Sequence, residues 1–311
     1  MPRYLLLSTA CLLALLRPLS AASGYAGEFM ALGAGARGLA LGSAYVAIAD
    51  DATAGYWNPA GLATIESRQL HLMHAERFSG LVDHDYLAIA RPGRRLHGLA
   101  FGLMRVGVDD IPFTRLQDPG RPLGPDNRPL VASTATSADY ALYLSGGHRL
   151  RPRLAVGASI KMIYRSVGSF SAYGFGLDLG LRYRLTSGLS LAATLRDVTT
   201  TPVVWNTDTT DRIQPSALVG IAYTTALAGG TATALVASRT GGEATDADAT
   251  QPLNAGIEYW HRGLALRAGL EETRQAFGIG LRPHRRISLD LAYLQHDELE
   301  TTYQFSATFH F

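Results

Sequence analysis

The sequence predicts an all-β protein, a 14-stranded antiparallel transmembrane β-barrel with an N-terminal, partly helical plug (hatch). Three observations predict it. Apolar and polar residues alternate in short runs along most of the chain. Among the connections between these runs, the long ones are all odd-numbered and the even-numbered ones are all short. No stretch beyond the N-terminus approaches the roughly 20 apolar residues of a spanning helix. Because 47% of the residues are hydrophobic and only 17% charged, disorder of the whole chain is excluded.

The first 22 residues have the three parts of an export signal. Arg3 supplies a basic start, residues 5–16 an apolar core too short to span, and residues 20–22 a small-residue cleavage site. We expect export and cleavage near Ala22. Cys11, the only cysteine, lies in this segment, so a disulfide framework or a cysteine metal site in the mature chain is excluded.

The remaining chain divides into two parts of different pattern. Residues 23–66 are rich in Gly and Ala and show no alternation, and Pro59 prevents a continuous helix. Their apolar side chains need burial, which a barrel interior lined by small residues offers. We therefore predict a hatch or plug over 23–66 inside a barrel formed by 67–311.

Alternation is clearest in the last run of the chain. Tyr303, Phe305 and Phe309 alternate with Gln304, Ser306 and Thr308, so one face is apolar and the other polar. Similar runs predict the following 14 strands: 67–78, 84–91, 96–105, 137–148, 154–165, 171–184, 188–196, 213–224, 231–239, 251–260, 264–271, 275–282, 286–296 and 300–311.

The length of a connection depends on whether its number, counted along the chain, is odd or even. The long connections, 106–136, 197–212 and 240–250, are the third, seventh and ninth, whereas every even-numbered connection is short. Outer-membrane barrels place long loops outside and short turns in the periplasm. A soluble β-sandwich has no reason to sort its loops in this way.

Aromatic side chains on the apolar face predict two girdles at the membrane interfaces. The expected periplasmic girdle is Tyr183, Tyr223, Tyr259, Phe309 and Phe311, and the expected outer girdle is Tyr140, Tyr164, Tyr173, Tyr293 and Tyr303.

The glycines Gly33, Gly35 and Gly38 match a dinucleotide-binding fingerprint in spacing, followed by Gly42. No strand precedes them and no acidic residue follows at the required distance, so we interpret them as hatch glycines that allow close packing, with no cofactor.

Three histidines are candidates for a metal site or a catalytic site. His71 and His74 are three apart on a strand and therefore point to opposite faces, which argues against a shared metal. His84, between Asp83 and Asp85, is expected at a solvated loop edge, with an outer-membrane hydrolase as the alternative. We predict no metal and no catalytic residue.

The inward face of the predicted strands carries charges of both signs among Gly, Ala and Ser. We interpret them as paired structural lining of the lumen, with a substrate-selective path as the alternative. They are Lys161, Arg165, Asp178, Arg182, Arg196, Glu258, Arg267, Glu271, Arg282 and Asp290. If the tenth and eleventh strands turn at 261–263, Glu258 and Arg267 fall nearly opposite and close enough to pair.

Net charge excludes a nucleic-acid partner. The formal charge of +2 includes Arg3 and Arg17 of the predicted signal, which leaves the mature chain near zero. Outer-membrane lipid is the partner that the pattern itself implies.

Residues 28–62 strongly resemble the N-terminus of PorV/PorQ-like outer-membrane proteins, relatives of the FadL channel. The hatch motif of that family is matched by Asn58, Pro59, Ala60 and Gly61. Residues 74–78 and 85–87 resemble the first hairpin of the same branch.

The resemblance implies a non-enzymatic barrel with one of two roles. A PorV-like role in type IX protein secretion would hold secreted client proteins or secretion components at the outer membrane, and we place it first. A FadL-like role would admit hydrophobic small molecules past the hatch.

Overall fold

A computed structural model of the chain describes residues 26–242, 253–295 and 301–311. The predicted signal peptide, with its cleavage site near Ala22, lies outside these residues, as does most of the predicted connection 240–250. None of the helices in the described part of the chain is long and apolar enough to cross a membrane.

Fourteen antiparallel strands form a closed barrel, as predicted. The fourteen strands of the barrel are β1 to β7 and β10 to β16, and within each of these two sets every strand pairs with the next. The ring is completed because β7 pairs with β10 and β16 pairs with β1. The bounds are β1 (Gln69–Arg77), β2 (Val82–Pro92), β3 (Gly98–Leu116), β4 (Pro129–Arg151), β5 (Leu154–Val167), β6 (Phe170–Arg184), β7 (Leu189–Arg196), β8 (Thr201–Trp205), β9 (Thr210–Ile213), β10 (Ser216–Leu227), β11 (Gly230–Gly241), β12 (Leu253–His261), β13 (Leu264–Glu271), β14 (Arg274–His284), β15 (Ile287–Leu294) and β16 (Thr302–His310).

The barrel has two different rims. Strand β1 begins and β16 ends at the rim that carries the short, even-numbered connections, which we call the turn rim. The opposite rim, the loop rim, carries the odd-numbered connections.

The predicted long loop 106–136 is wrong in its extent. Strands β3 and β4 continue well past their neighbours and form a two-stranded ribbon from Ile111 to Leu116 and from Pro129 to Ala135. Register shifts at Val108/Ile111 and Phe113/Thr114 interrupt the alternation. Because bulges break the period of two, the ribbon resembled a loop in the sequence.

The predicted connection 197–212 is also not a plain loop. It contains the hairpin of β8 and β9, and β8 pairs with the loop end of β6 at residues Ala172, Tyr173 and Gly174. This hairpin takes the place of β7, whose pairing with β6 covers only Leu179 to Arg184.

The outward face is apolar and carries the aromatic rows at the predicted heights. Tyr164 lies between Tyr140 and Tyr173, with ring centroids 6.1 and 5.0 Å away, and Tyr293 lies 5.5 Å from Tyr303. All five belong to the loop-rim girdle that alternation predicted. Large outward side chains such as Phe175 and Ile160 are 62% and 59% exposed on the isolated chain, as expected of a surface that faces lipid.

Residues 26–65 fill the barrel interior as a plug. They form α1 (Glu28–Ala31), α2 (Ala36–Ala40) and α3 (Ala54–Trp57), with 3-10 helices at Tyr45–Ala47 and Pro59–Thr64. Short helices separated by Gly and Pro allow the chain to fold back repeatedly within a narrow space. Nearly all of the apolar side chains of the plug are buried, Leu41, Tyr45 and Val46 completely so.

Candidate functional site

The hatch glycines lie where the plug packs most closely. Gly33, Gly35 and Gly42 have φ of 86°, 81° and 62°, which side-chain-bearing residues rarely adopt. A Cβ on Gly38 would lie 2.9 Å from the ring of Trp57, and a Cβ on Gly42 would lie 2.5 Å from the backbone of Leu270 in β13. Positive φ angles and close contacts account for glycine at these positions, and their role in a hatch stays a prediction.

Two seams join the plug backbone to glycines of the inner wall. In the first, Gly147 and Gly157 lie against Pro59 and its neighbours so closely that a Cβ on either would overlap main-chain atoms of the plug. In the second, Gly256 and Gly269 lie in the same way against Leu41 and Gly42. The seams lie on different parts of the barrel wall, so the plug is held from two directions.

Asn58 explains why the hatch motif begins with an amide. Its Nδ2 donates to the carbonyl oxygens of Val46 in the plug (3.0 Å) and Leu181 in β6 (3.2 Å), and its Oδ1 accepts from the backbone N–H of Ala60 (3.0 Å). The side chain is fully buried. The Nδ2 end of the amide thus joins the plug to the wall, while the Oδ1 end caps the 3-10 turn that begins at Pro59.

A chain of ion pairs crosses from the plug to the turn-rim half of the wall. Arg37 of α2 donates from Nε and Nη2 to the two carboxylate oxygens of Glu258 in β12, at 2.9 and 2.8 Å. Arg267 of β13 donates to Glu258 at 2.6 Å and to Asp290 of β15 at 2.7 Å. Glu258 and Arg267 are directly opposite across the ladder, as their register predicted.

Within the plug, Arg37 also organises an acidic turn. It donates to Asp50 (2.9 Å) and to the Tyr45 hydroxyl (3.0 Å), which in turn donates to Asp51. Burial of Asp51 disfavours its charged form. The charges of Arg37 and of the His71 ring, with hydrogen bonds to the carboxylate, outweigh burial and lower the pKa of Asp51 below its usual value. Asp51 therefore stays ionised inside the barrel.

A second ionic cluster lies where β7 leaves β6. Lys161 of β5 is 2.9 Å from both Asp178 of β6 and Asp197, and Thr201 donates to Asp197 at 2.6 Å. Asp197 has φ of 53° and follows the end of β7 directly. Over residues 175–178, β6 has no ladder partner on this side. One backbone–backbone bond, from the Val198 N–H to the Leu177 carbonyl, spans the break, and the Asp197 N–H donates across it to the Asp178 carboxylate at 2.8 Å.

The other predicted lining residues lie on the same inward face. Arg165 makes two bonds to Asp139 near the loop rim, at 2.9 and 3.0 Å. Arg196 lies over the ring of Tyr56 at 4.7 Å, and Arg282 lies over the ring of Trp260 at 5.1 Å. Arg182 and Glu271, both half-buried, complete the set. What these residues do for function stays a prediction.

An aromatic cluster in the centre was not anticipated. Tyr56 lies edge-on to Trp57, Tyr86 and Tyr143, with centroids 4.9, 6.4 and 6.0 Å away. The indole N–H of Trp57 donates to the Ala34 carbonyl at 2.7 Å, and the Tyr56 hydroxyl to the Met30 carbonyl at 2.6 Å. Tyr86 of β2 and Tyr143 of β4 are each 2% exposed, and no local sequence pattern pairs them with the plug.

Arg37, Asp50 and Asp197 were also missed. Arg37 is the only basic residue in 23–66, a signal that marks it as the partner of a wall carboxylate. Asp197 lay in a segment interpreted as loop, so no pattern indicated that it points inward.

His71 and His74 lie on opposite faces of β1. His71 is buried and 2.9 Å from the Thr308 hydroxyl, while His74 is outward and 2.7 Å from Asp85, which confirms their opposite faces. The expected loop-edge position of His84 is wrong: it lies within β2 on the inner wall with 0% exposure, because the strand begins at Val82. In the described residues, no group of three or more potential ligands is placed to hold a metal.

At the loop-rim half, apolar side chains of the plug and of the β8–β9 hairpin lie beside Arg165, whose guanidinium is 5.8 Å from the centroid of the Phe29 ring. Phe29 and Met30 of α1 belong to one buried cluster with Val203 of β8 and Ile213 of β9. Ile213 approaches so closely that a Cβ on Gly27 would lie 3.0 Å from it. The hairpin therefore covers the plug from the loop side with aliphatic groups.

Solved structures with a similar fold exist, although their sequences are only 13–15% identical to this one. The toluene transporter TbuX of Ralstonia pickettii is similar in structure, with a TM-score of 0.57 at 13% identity over 90% of this chain and 98% of that one. For the P. putida toluene transporter TodX the values are 0.56, 14%, 90% and 99%, and for the monoaromatic hydrocarbon channel CymD 0.55, 15%, 93% and 97%. No family model and no curated protein matches the sequence.

Proposed function

We propose that this protein is an outer-membrane channel for hydrophobic small molecules, in which residues 26–65 form a plug that controls passage. The solved structures of similar fold that transport toluene or other monoaromatic hydrocarbons support this role better than the secretion role placed first in the sequence analysis. In the orientation of such barrels the turn rim lies in the periplasm and the loop rim outside.

The observation that carries the proposal is the apolar contact between α1 and the β8–β9 hairpin. Phe29 belongs to the same buried apolar cluster as Val203 and Ile213, and Ile213 lies against Gly27 at the start of α1. Because both sides are apolar, a hydrophobic solute can replace one of them without leaving a polar group unpaired. A hydrophilic solute gains nothing there.

A way out of the lumen lies beside the same hairpin. The wall is weakest at residues 175–178 of β6, where the ladder is interrupted and the Lys161 cluster holds the edges together on the inside. Phe175 faces lipid just outside the break. A hydrophobic molecule held under β8 and β9 would pass into the membrane here once the cluster opens.

Uptake measurements test the proposal. In a Gram-negative host without hydrocarbon channels of its own, expression of the protein should accelerate uptake of radiolabelled toluene and leave uptake of glycerol unchanged. Equal acceleration of both solutes would indicate an unselective pore, and no acceleration of toluene would contradict the channel.

A PorV-like attachment of secreted clients is the second candidate, favoured by the β3–β4 ribbon. Its apolar side chains Phe113, Leu123 and Val131 are 53%, 69% and 63% exposed, and the strands have free edges that can accept another strand. Asn127 holds the tip by donating to the carbonyls of Asp118 and Arg121 at 3.0 and 2.9 Å. Removing residues 111–134 should abolish client attachment under this hypothesis and leave toluene uptake intact under the first.

A further inference from the structure

The turn rim carries an unusual concentration of positive charge. Twelve arginines lie in or beside its turn segments, all of which the structure describes, and Glu66 is the only acidic residue there. The arginines are Arg68, Arg91, Arg94, Arg95, Arg149, Arg151, Arg153, Arg184, Arg262, Arg282, Arg285 and Arg286. None of them takes part in an ion pair with another described residue.

An apolar groove lies on the outside of the barrel next to one group of these arginines. It has a volume of about 470 Å³ and is formed on β2, β3 and β4 by Ile89, Leu96, Leu99, Phe101 and Leu144, with Arg91 at its edge. Ile89 and Leu144 are 50% and 54% exposed on the isolated chain. Gly146 keeps the floor open, since a Cβ there would lie 2.8 Å from Leu96 Cδ1.

Groove and charge together point to one occupant. Arg91 is opposite Leu99 in the ladder, so the guanidinium lies at the mouth of the groove, and Arg94 and Arg95 follow in the turn that closes β2 and β3. We propose that this groove binds one anionic phospholipid of the inner leaflet, with an acyl chain along the apolar floor and the phosphate at Arg91, Arg94 and Arg95.

The chemistry favours a lipid over a soluble acidic protein. The groove opens on the face that carries the lipid-facing side chains of β2 to β4, and a soluble partner does not reach Ile89 or Phe101 through the bilayer. Arg91, Arg94 and Arg95 form no ion pair with another described residue, so their charge can pair with a phosphate, which guanidinium groups match by geometry.

Native mass spectrometry of the delipidated protein in a neutral detergent tests the proposal. Phosphatidylglycerol and phosphatidylcholine with the same acyl chains are titrated separately. We expect one tightly bound phosphatidylglycerol per chain and markedly weaker phosphatidylcholine. Arg91→Gln/Arg94→Gln/Arg95→Gln should weaken phosphatidylglycerol binding about 100-fold, given that a basic residue near an anionic surface contributes about fivefold.

A matched variant separates this site from the general charge of the rim. Arg262→Gln/Arg285→Gln/Arg286→Gln removes the same charge from two other turns of the same rim, which do not border the groove, and should leave the tight phosphatidylglycerol bound. Gly146→Phe should fill the groove and expel the lipid although every arginine remains. Heat-modifiable migration on gels verifies that each variant is still a folded barrel.

Three results would overturn the proposal. They are equal affinity for the two lipids, equal loss in the two triple variants, and unchanged binding in Gly146→Phe. Binding of soluble polyglutamate in preference to phosphatidylglycerol would assign the rim to an acidic protein instead. The proposed channel function does not depend on any of these results, because toluene uptake is measured separately.

Discussion

Arg37 in the plug and Glu258 in the barrel wall form a two-bond ion pair although they are 221 residues apart in the chain. Glu258 is 2% exposed, and Arg267 shares it from the neighbouring strand. Because a buried charge needs its partner, this pair connects the position of the plug to the stability of the wall.

We expect Glu258→Ala to loosen the plug. It leaves Arg37 and Arg267 without their shared carboxylate, and breaking a buried ion pair costs about 3–5 kcal/mol. Asp50→Asn is the control, because it removes a contact of the same arginine at a side chain that is 47% exposed, where a pair contributes about 0–1 kcal/mol. Limited proteolysis of the plug should become faster in the first variant only. Equal proteolysis of the two variants would mean that Glu258 does not hold the plug.

Gly157→Ala should disturb the first seam. A Cβ at this position overlaps the backbone of Pro59 and Ala60, which cannot turn aside as a side chain can. Overpacking of this kind costs about 1–3 kcal/mol, and we expect a lower temperature for the heat-induced gel shift. Gly124→Ala, with nothing within 4 Å of the new Cβ, should not change it. An unchanged transition in Gly157→Ala would show that the plug is not seated against β5.

Deletion of residues 27–62 should raise single-channel conductance in planar bilayers while the barrel still inserts. The fourteen-strand ring closes through its own ladders, and the plug fills its interior without adding a strand. Conductance that stays low would mean that another element closes the lumen. Loss of client secretion without an open pore would favour the PorV-like role.

A disulfide across the interrupted wall should block passage of toluene. A side chain at Gly176 would overlap the Thr201 hydroxyl, so Gly176→Cys/Thr201→Cys places two thiols together in a chain whose only natural cysteine is Cys11. We expect uptake to fall on oxidation and to recover with dithiothreitol. Ala222→Cys/Leu235→Cys joins ladder partners in the continuous part of the wall and should have no effect. Unchanged uptake in the oxidised first variant would place the exit elsewhere.

The sequence predicted the strand register well where one face meets lipid. Glu258 and Arg267 are directly opposite as expected, because a shift of one residue would turn every side chain of a strand to the wrong face. Prediction failed beyond the membrane zone. The β3–β4 ribbon has solvent on both faces, so no alternation is required there, and its bulges hide it further.

The sequence by itself determined the barrel, its strand number and the presence of a compact segment that needs burial, since alternation and turn spacing are local properties of the chain. Only the tertiary structure decided which wall groups meet that segment. Arg37 finds Glu258, Asn58 reaches Leu181, and Asp197 joins Lys161 through contacts between strands distant in sequence. Such contacts depend on the height and rotation of each strand in the closed ring, and no local pattern carries that information.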